Sequence, residues 1–173
     1  MPKIESFLAN RDSPLPTRLI VIDSIAALFR SDFDNTPSDL KRRSALFFKI
    51  SGKLKLLAKR YSLAVVLTNQ VVDLMDSSDG ISALRIGNLK SLCSSGRRVC
   101  PALGIAWANC VNSRLFLSRN EEVVGEGDGV VNGGELAQRR TRRWLHVVFA
   151  PHLPKSSCEY IINRQGVVGV ESQ

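Results

Sequence analysis

The sequence predicts an α/β fold: a parallel sheet that ends in antiparallel edge strands. Two short apolar runs, residues 19–22 and 63–67, are rich in β-branched residues and show no polar alternation, as in strands covered on both faces. A long stretch of helical periodicity separates them. Strand, long helix and strand form a βαβ unit, which predicts a parallel pair with a right-handed crossover.

The predicted crossover helix has one apolar face and several basic positions. Ser38 or Asp39 is expected to cap its N-terminus. The basic face is either solvated or contacts DNA. Apolar residues recur at steps of three and four: Phe47, Ile50, Leu54, Leu57 and Tyr61.

The second half of the chain predicts a long loop followed by edge strands. Residues 73–100 are rich in Ser, Gly and Asp, and a segment this long inside a compact domain is either functional or disordered. A Gly/Glu-rich and then Arg-rich insertion covers about 120–142. We expect the late strands to pair antiparallel, and the candidates lie at 114–118, 144–150 and 158–163, with a turn at 164–166.

Composition favours a single domain with a basic surface. The chain has 173 residues, a net charge of +8 and a pI of about 9.7, which indicates either nucleic acid as partner or a basic surface that binds no particular partner. No apolar run approaches the roughly 20 residues of a membrane span, and we see no secretory signal. The four cysteines form no C-x-x-C pair, so we expect reduced thiols and no zinc site.

Polar side chains follow both predicted parallel strands. Asp23 comes directly after the first strand, where it can hold the Mg²⁺ of a nucleotide; it can equally begin an ordinary turn. Gln70 follows the second strand, where it can reach a γ-phosphate or its attacking water, or be a plain polar strand end.

A phosphate-binding loop of the form G-x-x-x-x-G-K-[ST] is absent from the sequence. Gly52-Lys53 is followed by Leu54 and lies inside the predicted helix. We therefore expect the chain to bind ATP poorly by itself.

Two groups of cations are candidate contacts for nucleic acid. The loop at 85–98 carries cations without acids nearby, and it has no aromatic residue for base stacking. The denser cluster binds nucleic acid, directs nuclear import or is simply solvated. It consists of Arg139, Arg140, Arg142 and Arg143.

Four segments together resemble the RecA/RadA-type recombinase family, and in particular its eukaryotic paralogues. They are LIVIDSIAALFR at 19–30, LTNQV at 67–71, PALGIAWAN at 101–109 and APHLP at 150–154. The resemblance covers most of residues 1–119 and 143–170. The last two segments argue against another RecA-fold ATPase, such as a ring helicase.

The resemblance implies the C-terminal part of a RecA-like P-loop NTPase core over residues 1–173. Asp23 would be the Mg²⁺-associated aspartate, Gln70 the γ-phosphate sensor, and Pro151 part of the turn that contacts ATP. Two DNA loops would span about 30–44 and 71–100. The cations expected to bind DNA are Arg30, Arg42, Arg43, Arg85, Lys90, Arg97 and Arg98.

Two departures from the family pattern qualify these expectations. The family's phosphate loop and catalytic glutamate precede the matched region, so we expect apolar surface to be exposed and the isolated chain to associate. Phe149 and Ala150 stand where many recombinases have an acidic residue, which caps ATP across a subunit interface, followed by a serine. A conventional ATP cap from this chain is therefore in doubt.

The resemblance implies a nuclear DNA-repair protein of homologous recombination that uses ATP and Mg²⁺. It would bind single-stranded and junction DNA, pair with another recombinase paralogue, and assist a recombinase at double-strand breaks. The alternative is a non-catalytic module that docks on a recombinase paralogue without ATP turnover.

Overall fold

The computed structural model describes residues 2–9, 15–29, 36–74, 92–124 and 138–171. They divide into two compact units. The first contains the described residues up to Val72 together with Cys100–Val111, and the second contains the rest.

The first unit is built on a parallel strand pair. Strands β1 (Leu19–Ile22) and β2 (Ala64–Leu67) are joined by the 25-residue helix α2 (Pro37–Tyr61). The predicted βαβ unit is therefore confirmed. The register pairs Leu19 with Ala64, Ile20 with Val65, Val21 with Val66, and Ile22 with Leu67.

The expectation that these strands are covered on both faces is wrong. Side chains alternate between exposed and half-buried along both strands. Leu19, Val21 and Val66 are 52%, 58% and 48% exposed. The strand composition fits two-sided burial, but within the described residues only one face of this pair is packed.

The N-cap of helix α2 lies two residues before the first of the two residues that the sequence predicted for it. Thr36, rather than Ser38 or Asp39, is the N-cap: its Oγ1 accepts a hydrogen bond from the Asp39 backbone N–H at 3.2 Å. The same hydroxyl donates to Asp39 Oδ2 at 2.8 Å. Pro37 occupies the first turn, where a missing N–H costs nothing. The helix ends at Ser62, which adopts a left-handed conformation.

Aromatic rings hold α2 to the rest of the first unit. The Phe47 ring meets Phe29 of a 3-10 helix (Ile25–Phe29) with centroids 4.7 Å apart, edge to face. On its other side Phe47 meets Trp107, which lies in α3 (Gly104–Ala108), at 5.3 Å. Such pairs add to the free energy gained by burial. The buried cluster is Ile25, Ala26, Phe29, Phe47, Leu103, Trp107 and Cys110.

A short helix, α1 (Pro2–Ala9), contacts α2 through one carboxylate. Glu5 lies 3.6 Å from Lys53 Nζ and 3.3 Å from Arg60 Nη1. Lys53 and Arg60 of the basic helix therefore share one carboxylate, which leaves a net charge of about +1 on the three groups.

The second unit contains a four-stranded antiparallel sheet in the order β6–β7–β8–β9. The predicted antiparallel pairing of the late strands is confirmed. The strands are Arg114–Val124, Gln138–Phe149, Ser156–Asn163 and Gly166–Gly169.

The outer part of the β6–β7 hairpin extends beyond its neighbours. The β7–β8 ladder stops at Arg143 opposite Tyr160, whereas β6 and β7 continue to pair as far as Val124 opposite Gln138. The predicted insertion at 120–142 therefore begins and ends as strand, and its residues 125–137 lie outside the described residues.

Three short strands replace parts of the predicted loop at 71–100. They are β3 (Val71–Asp73), β4 (Cys93–Ser94) and β5 (Arg97–Pro101), in the order β3–β5–β4. Ser95 and Gly96 join β4 to β5 with φ of +53° and +72°, as in a tight two-residue hairpin.

None of the described helices combines the length and apolar character that crossing a membrane requires.

We predict that Gly52→Ala stabilises the chain. A Cβ at this position in α2 meets nothing within 4 Å, and alanine loses less backbone entropy than glycine in a helix. The free energy of unfolding in urea should rise by about 0.5–1 kcal/mol. Gly104→Ala is the control: φ is +65° there, so its unfolding free energy should fall. A fall for Gly52→Ala would contradict the open environment at residue 52.

We predict that Val21→Thr/Val66→Thr reduces self-association. Both side chains lie on the exposed face of the parallel pair, and threonine keeps the β-branched shape while reducing apolar area. Sedimentation velocity should show less oligomer than in the wild-type chain. The matched control is Val167→Thr/Val168→Thr on the exposed strand β9. Equal effects of both pairs would mean that the β1–β2 face has no special part in association.

Candidate functional site

The ends of β1 and β2 meet at one edge of the parallel pair. Thr68 N–H donates to the Ile22 carbonyl, and Ile25 N–H donates to the Thr68 carbonyl, both at 3.0 Å. Thr68 Oγ1 donates to Asp23 Oδ1 at 2.5 Å. The polar tips of the two strands therefore lie together, as expected for adjacent parallel strands.

Two further oxygens near these tips are buried without partners. Ser24 Oγ and Asn69 Oδ1 make no hydrogen bond in the part of the chain that the structure describes. An unsatisfied buried oxygen costs free energy, and a hydrated cation or a phosphate-bound water would relieve that cost. Carboxylate and amide oxygens are the ligands that Mg²⁺ prefers.

The strand tips fit a metal that receives most of its ligands from elsewhere. Within the described ranges, no three His, Cys, Asp or Glu side chains gather as a metal cluster. Mg²⁺ commonly binds one or two protein carboxylates and completes its shell with water and substrate phosphates. Asp23 meets that requirement for a single protein carboxylate.

Gln70 is held by its backbone. Its carbonyl accepts a hydrogen bond from Ala102 N–H at 2.8 Å, which links the end of β2 to the segment that enters α3. Its side chain is exposed. The sensor role of Gln70 stays a prediction.

Pro151 lies in the exposed turn between β7 and β8 of the second unit. In the same turn, the Leu153 N–H donates to the Ala150 carbonyl at 3.5 Å. Phe149, at the end of β7, is 49% exposed. The contact of Pro151 with a nucleotide stays a prediction.

The predicted DNA contacts of the first loop have different environments. Arg42 is exposed on α2. The Arg43 guanidinium lies 5.8 Å from the centroid of the Phe47 ring, and its Nε is buried. The Arg43 side chain therefore contacts the core through the Phe47 ring. Arg30, Arg85 and Lys90 lie outside the described residues.

The expectation that the cations of the second loop lack acids nearby is wrong for Arg97. Its Nη1 lies 2.8 Å from Asp73 Oδ2. The strands bring the start and end of the loop together, because the Leu74 N–H donates to the Arg98 carbonyl at 2.8 Å. Asp73 precedes the acid-free stretch, so this pairing could not be predicted from the spacing of charges.

The arginine cluster is only partly a solvated run. Arg142 Nε donates to Glu159 Oε1 at 2.8 Å, and Nη1 donates to Glu122 Oε1 at 3.2 Å. Its guanidinium also lies 5.1 Å from the centroid of the Trp144 ring. The hydrogen bonds that Arg142 donates, first to Glu159 and then to Glu122, raise the pKa of Arg142, and the bond to Arg142 lowers the pKa of Glu159. The Arg142 guanidinium is therefore already paired with carboxylates of the same chain.

Sequence reasoning missed Thr68 and Asp73 as neighbours of predicted site residues. Thr68 was detectable, since adjacent parallel strands bring the residue after each strand to one edge. Asp73 depends on the register of β3 with β5, for which the sequence gives no local signal.

These observations describe a C-terminal portion of an α/β core with an acidic strand tip beside a second polar strand end. A family model described as Rad51 matches residues 7–90. The chain belongs to the Rad51 family of RecA-type recombinases.

Within that family, the chain is similar to recombinase paralogues. The DNA repair protein XRCC3 homolog of Arabidopsis thaliana is 57% identical over 99% of this chain and 57% of that protein. The DNA repair protein XRCC3 of Mus musculus is 37% identical over 88% of the chain and 39% of that protein. The Homo sapiens DNA repair protein RAD51 homolog 2 is 29% identical over 87% and 36%, respectively. The chain thus spans between about a third and three fifths of the length of these relatives.

We predict that Asp23→Asn weakens divalent-metal binding, because it removes the carboxylate that lies at the described strand tips. Water-proton relaxation in a Mn²⁺ titration, with Mn²⁺ in place of Mg²⁺, should show weaker binding than in the wild type. Asp73→Asn is the control, since it removes an exposed carboxylate elsewhere. An equal loss in both variants would indicate only non-specific attraction of the cation.

Proposed function

We propose that this chain acts in DNA repair by homologous recombination, as a RecA-type paralogue that binds DNA in an ATP-linked manner. In this role it assists a recombinase at double-strand breaks in the nucleus. The observation that carries the proposal is the bonded pair Asp23–Thr68 at the edge of a parallel strand pair in a Rad51-family chain.

The proposal assigns the metal side of a nucleotide site to this chain. Asp23 would hold Mg²⁺, and the buried oxygens of Ser24 and Asn69 would receive its bound waters. Bound Mg²⁺–ATP supplies charge neutralisation on the phosphates and a γ-phosphate whose presence or loss is sensed. The sequence has no G-x-x-x-x-G-K-[ST] segment, so the phosphate cradle is not assigned to these residues.

The chain's own residues link the strand tip to the predicted DNA loop. Thr68 binds Asp23, and the next residues lead through Gln70 into β3. The Gln70 carbonyl accepts a hydrogen bond from Ala102 N–H. A displacement of the strand tip would therefore also displace Gln70 and the segment bonded to it. Gln70 would report the state of the γ-phosphate by this route.

The root of the second loop provides the cations for DNA. Arg97 and Arg98 are exposed on β5, directly after the tight hairpin turn. Arginine pairs well with phosphate oxygens, and such contacts dominate affinity for single strands. Single-stranded and junction DNA are the proposed substrates, and another recombinase paralogue is the proposed heterodimer partner.

A second candidate is a non-catalytic interaction module that docks on a recombinase paralogue. Two observations favour it: the missing phosphate-loop motif, and the exposed apolar face of β1 and β2. The first candidate requires ATP-linked binding of DNA, whereas the second requires neither DNA binding nor ATP turnover, so a DNA-binding measurement tests the first.

We predict that Arg97→Ala/Arg98→Ala weakens binding to single-stranded DNA. Fluorescence-anisotropy titrations with labelled oligothymidylate at several salt concentrations give the slope of log binding constant against log salt concentration. The magnitude of this negative slope should decrease by about one. The change is smaller than two full contacts because Asp73 already competes for Arg97. Lys155→Ala/Arg164→Ala removes the same charge from exposed positions elsewhere in the second unit and should have a smaller effect.

Equal effects of the two double variants would remove the hairpin from the DNA site. No binding of DNA by the wild-type chain, alone or with a recombinase paralogue, would favour the interaction module.

A further inference from the structure

Helix α2 carries a second apolar group on its solvent face. Phe48 and Leu56 are 58% and 61% exposed, although both are large hydrophobic side chains. Ala45 and Gly52, also exposed, lie on the same face, with Gly52 between Phe48 and Leu56. Helical geometry puts this face opposite the stripe of Phe47, Leu54 and Leu57 that packs into the core.

Lysines frame this apolar group on both sides. Asp39, in the first turn, is the single acidic residue of α2. Within the residues described by the structure, the framing lysines make no ion pair. They are Lys41, Lys49, Lys55 and Lys59, all exposed. We call these lysines and the four apolar residues Ala45, Phe48, Gly52 and Leu56 the α2 patch.

Basic residues beside this apolar group already bind a carboxylate of the same chain. Lys53 and Arg60, just beside the α2 patch, both contact Glu5 of α1. A short helix therefore already docks an acidic residue on α2. The lysines of the α2 patch have no such carboxylate among the described residues, although they lie on the same basic helix.

The centre of the α2 patch has room for a partner's side chain. A Cβ on Gly52 would meet nothing within 4 Å. Gly52 therefore leaves a gap between Phe48 and Leu56, of the kind into which a side chain from a facing helix inserts.

The combination of charge and apolar area selects the kind of partner. A nucleic-acid backbone would pair with the lysines but would leave Phe48 and Leu56 in water. An amphipathic helix with acidic flanks would cover the apolar side chains and neutralise the lysines together.

We propose that the α2 patch docks an amphipathic α-helix of a partner protein, with an apolar side chain over Gly52 and acidic residues along both flanks. This surface is separate from the strand tips and the hairpin cations, and its occupant is a protein.

The test uses a designed, fluorescently labelled helical peptide with leucines at steps of three and four, flanked by glutamates. Two control peptides replace the glutamates with lysines or the leucines with serines. Anisotropy titrations with the full 173-residue chain should show binding of the glutamate–leucine peptide alone. Equal binding of the lysine peptide would overturn the proposal.

Variants of the chain test each part of the α2 patch. Lys49→Glu/Lys55→Glu should weaken binding of the glutamate–leucine peptide by about tenfold or more, as expected for reversed charges at an interface. Lys155→Glu/Arg164→Glu makes the same change of charge at exposed sites elsewhere and should stay within about twofold. An equal loss in both would indicate long-range attraction only and would overturn the proposal.

Two variants that alter the apolar part of the α2 patch complete the test. Phe48→Ser/Leu56→Ser removes the apolar contacts, and Gly52→Glu fills the gap from an open position, so both should weaken the peptide. Far-UV circular dichroism checks that each variant keeps its helix content, and Gly52→Glu decides the result if the serine variant does not fold. Unchanged affinity in a folded apolar variant overturns the proposal.

Oligothymidylate provides the competing outcome. If it displaces the peptide from the wild-type chain, and Lys49→Glu/Lys55→Glu loses affinity for oligothymidylate while Lys155→Glu/Arg164→Glu does not, the α2 patch is a nucleic-acid surface. That result would overturn a protein partner here.

Discussion

The parallel pairing of β1 with β2 is the constraint on which the first unit depends. Adjacent parallel strands cannot be joined by a tight turn, so the chain must return through a long crossover, and α2 provides it. The same pairing brings the residues after both strands to one edge, where Asp23 meets Thr68. The crossover also fixes which side of α2 faces inward, since Phe47 must reach both Phe29 and Trp107. The strand tips and the solvent face of α2 thus follow from one pairing.

The sequence predicted this unit because its signals are local. Apolar strands at 19–22 and 63–67 and the stripe through Phe47 are visible without knowledge of tertiary contacts. Features set by distant partners were missed. Glu159 lies far along the chain from Glu122, and both meet Arg142 only in the register of the late sheet. Exposed apolar surface was predicted, but its location on β1 was not, because strand composition shows which faces a strand can bury and not which are covered.

The net charge does not show which basic side chains of this protein can bind an external anion. Several basic side chains that read as open in the sequence are bound by carboxylates of the same chain: Lys53 and Arg60 by Glu5, Arg97 by Asp73, and Arg142 by Glu159 and Glu122. Exposed ion pairs contribute little to stability, but they compete with any incoming anion. The charge of +8 is therefore distributed unevenly, and the lysines of α2 account for a large share of what is left unpaired among the described residues.

The β6–β7 hairpin projects past Tyr160, the last residue of β8 that pairs with β7, and the ion pair of Arg142 with Glu159 lies at that junction. Beyond it, within the described residues, the backbone of each strand of the projection pairs with that of the other strand. Fraying of the projecting part of β6 and β7 would therefore break only local hydrogen bonds, while the four-stranded sheet would remain paired. Lengthening or shortening the connection between the two strands adds little loop-closure entropy, so this is a place where residues can be gained or lost over evolutionary time while the fold is kept.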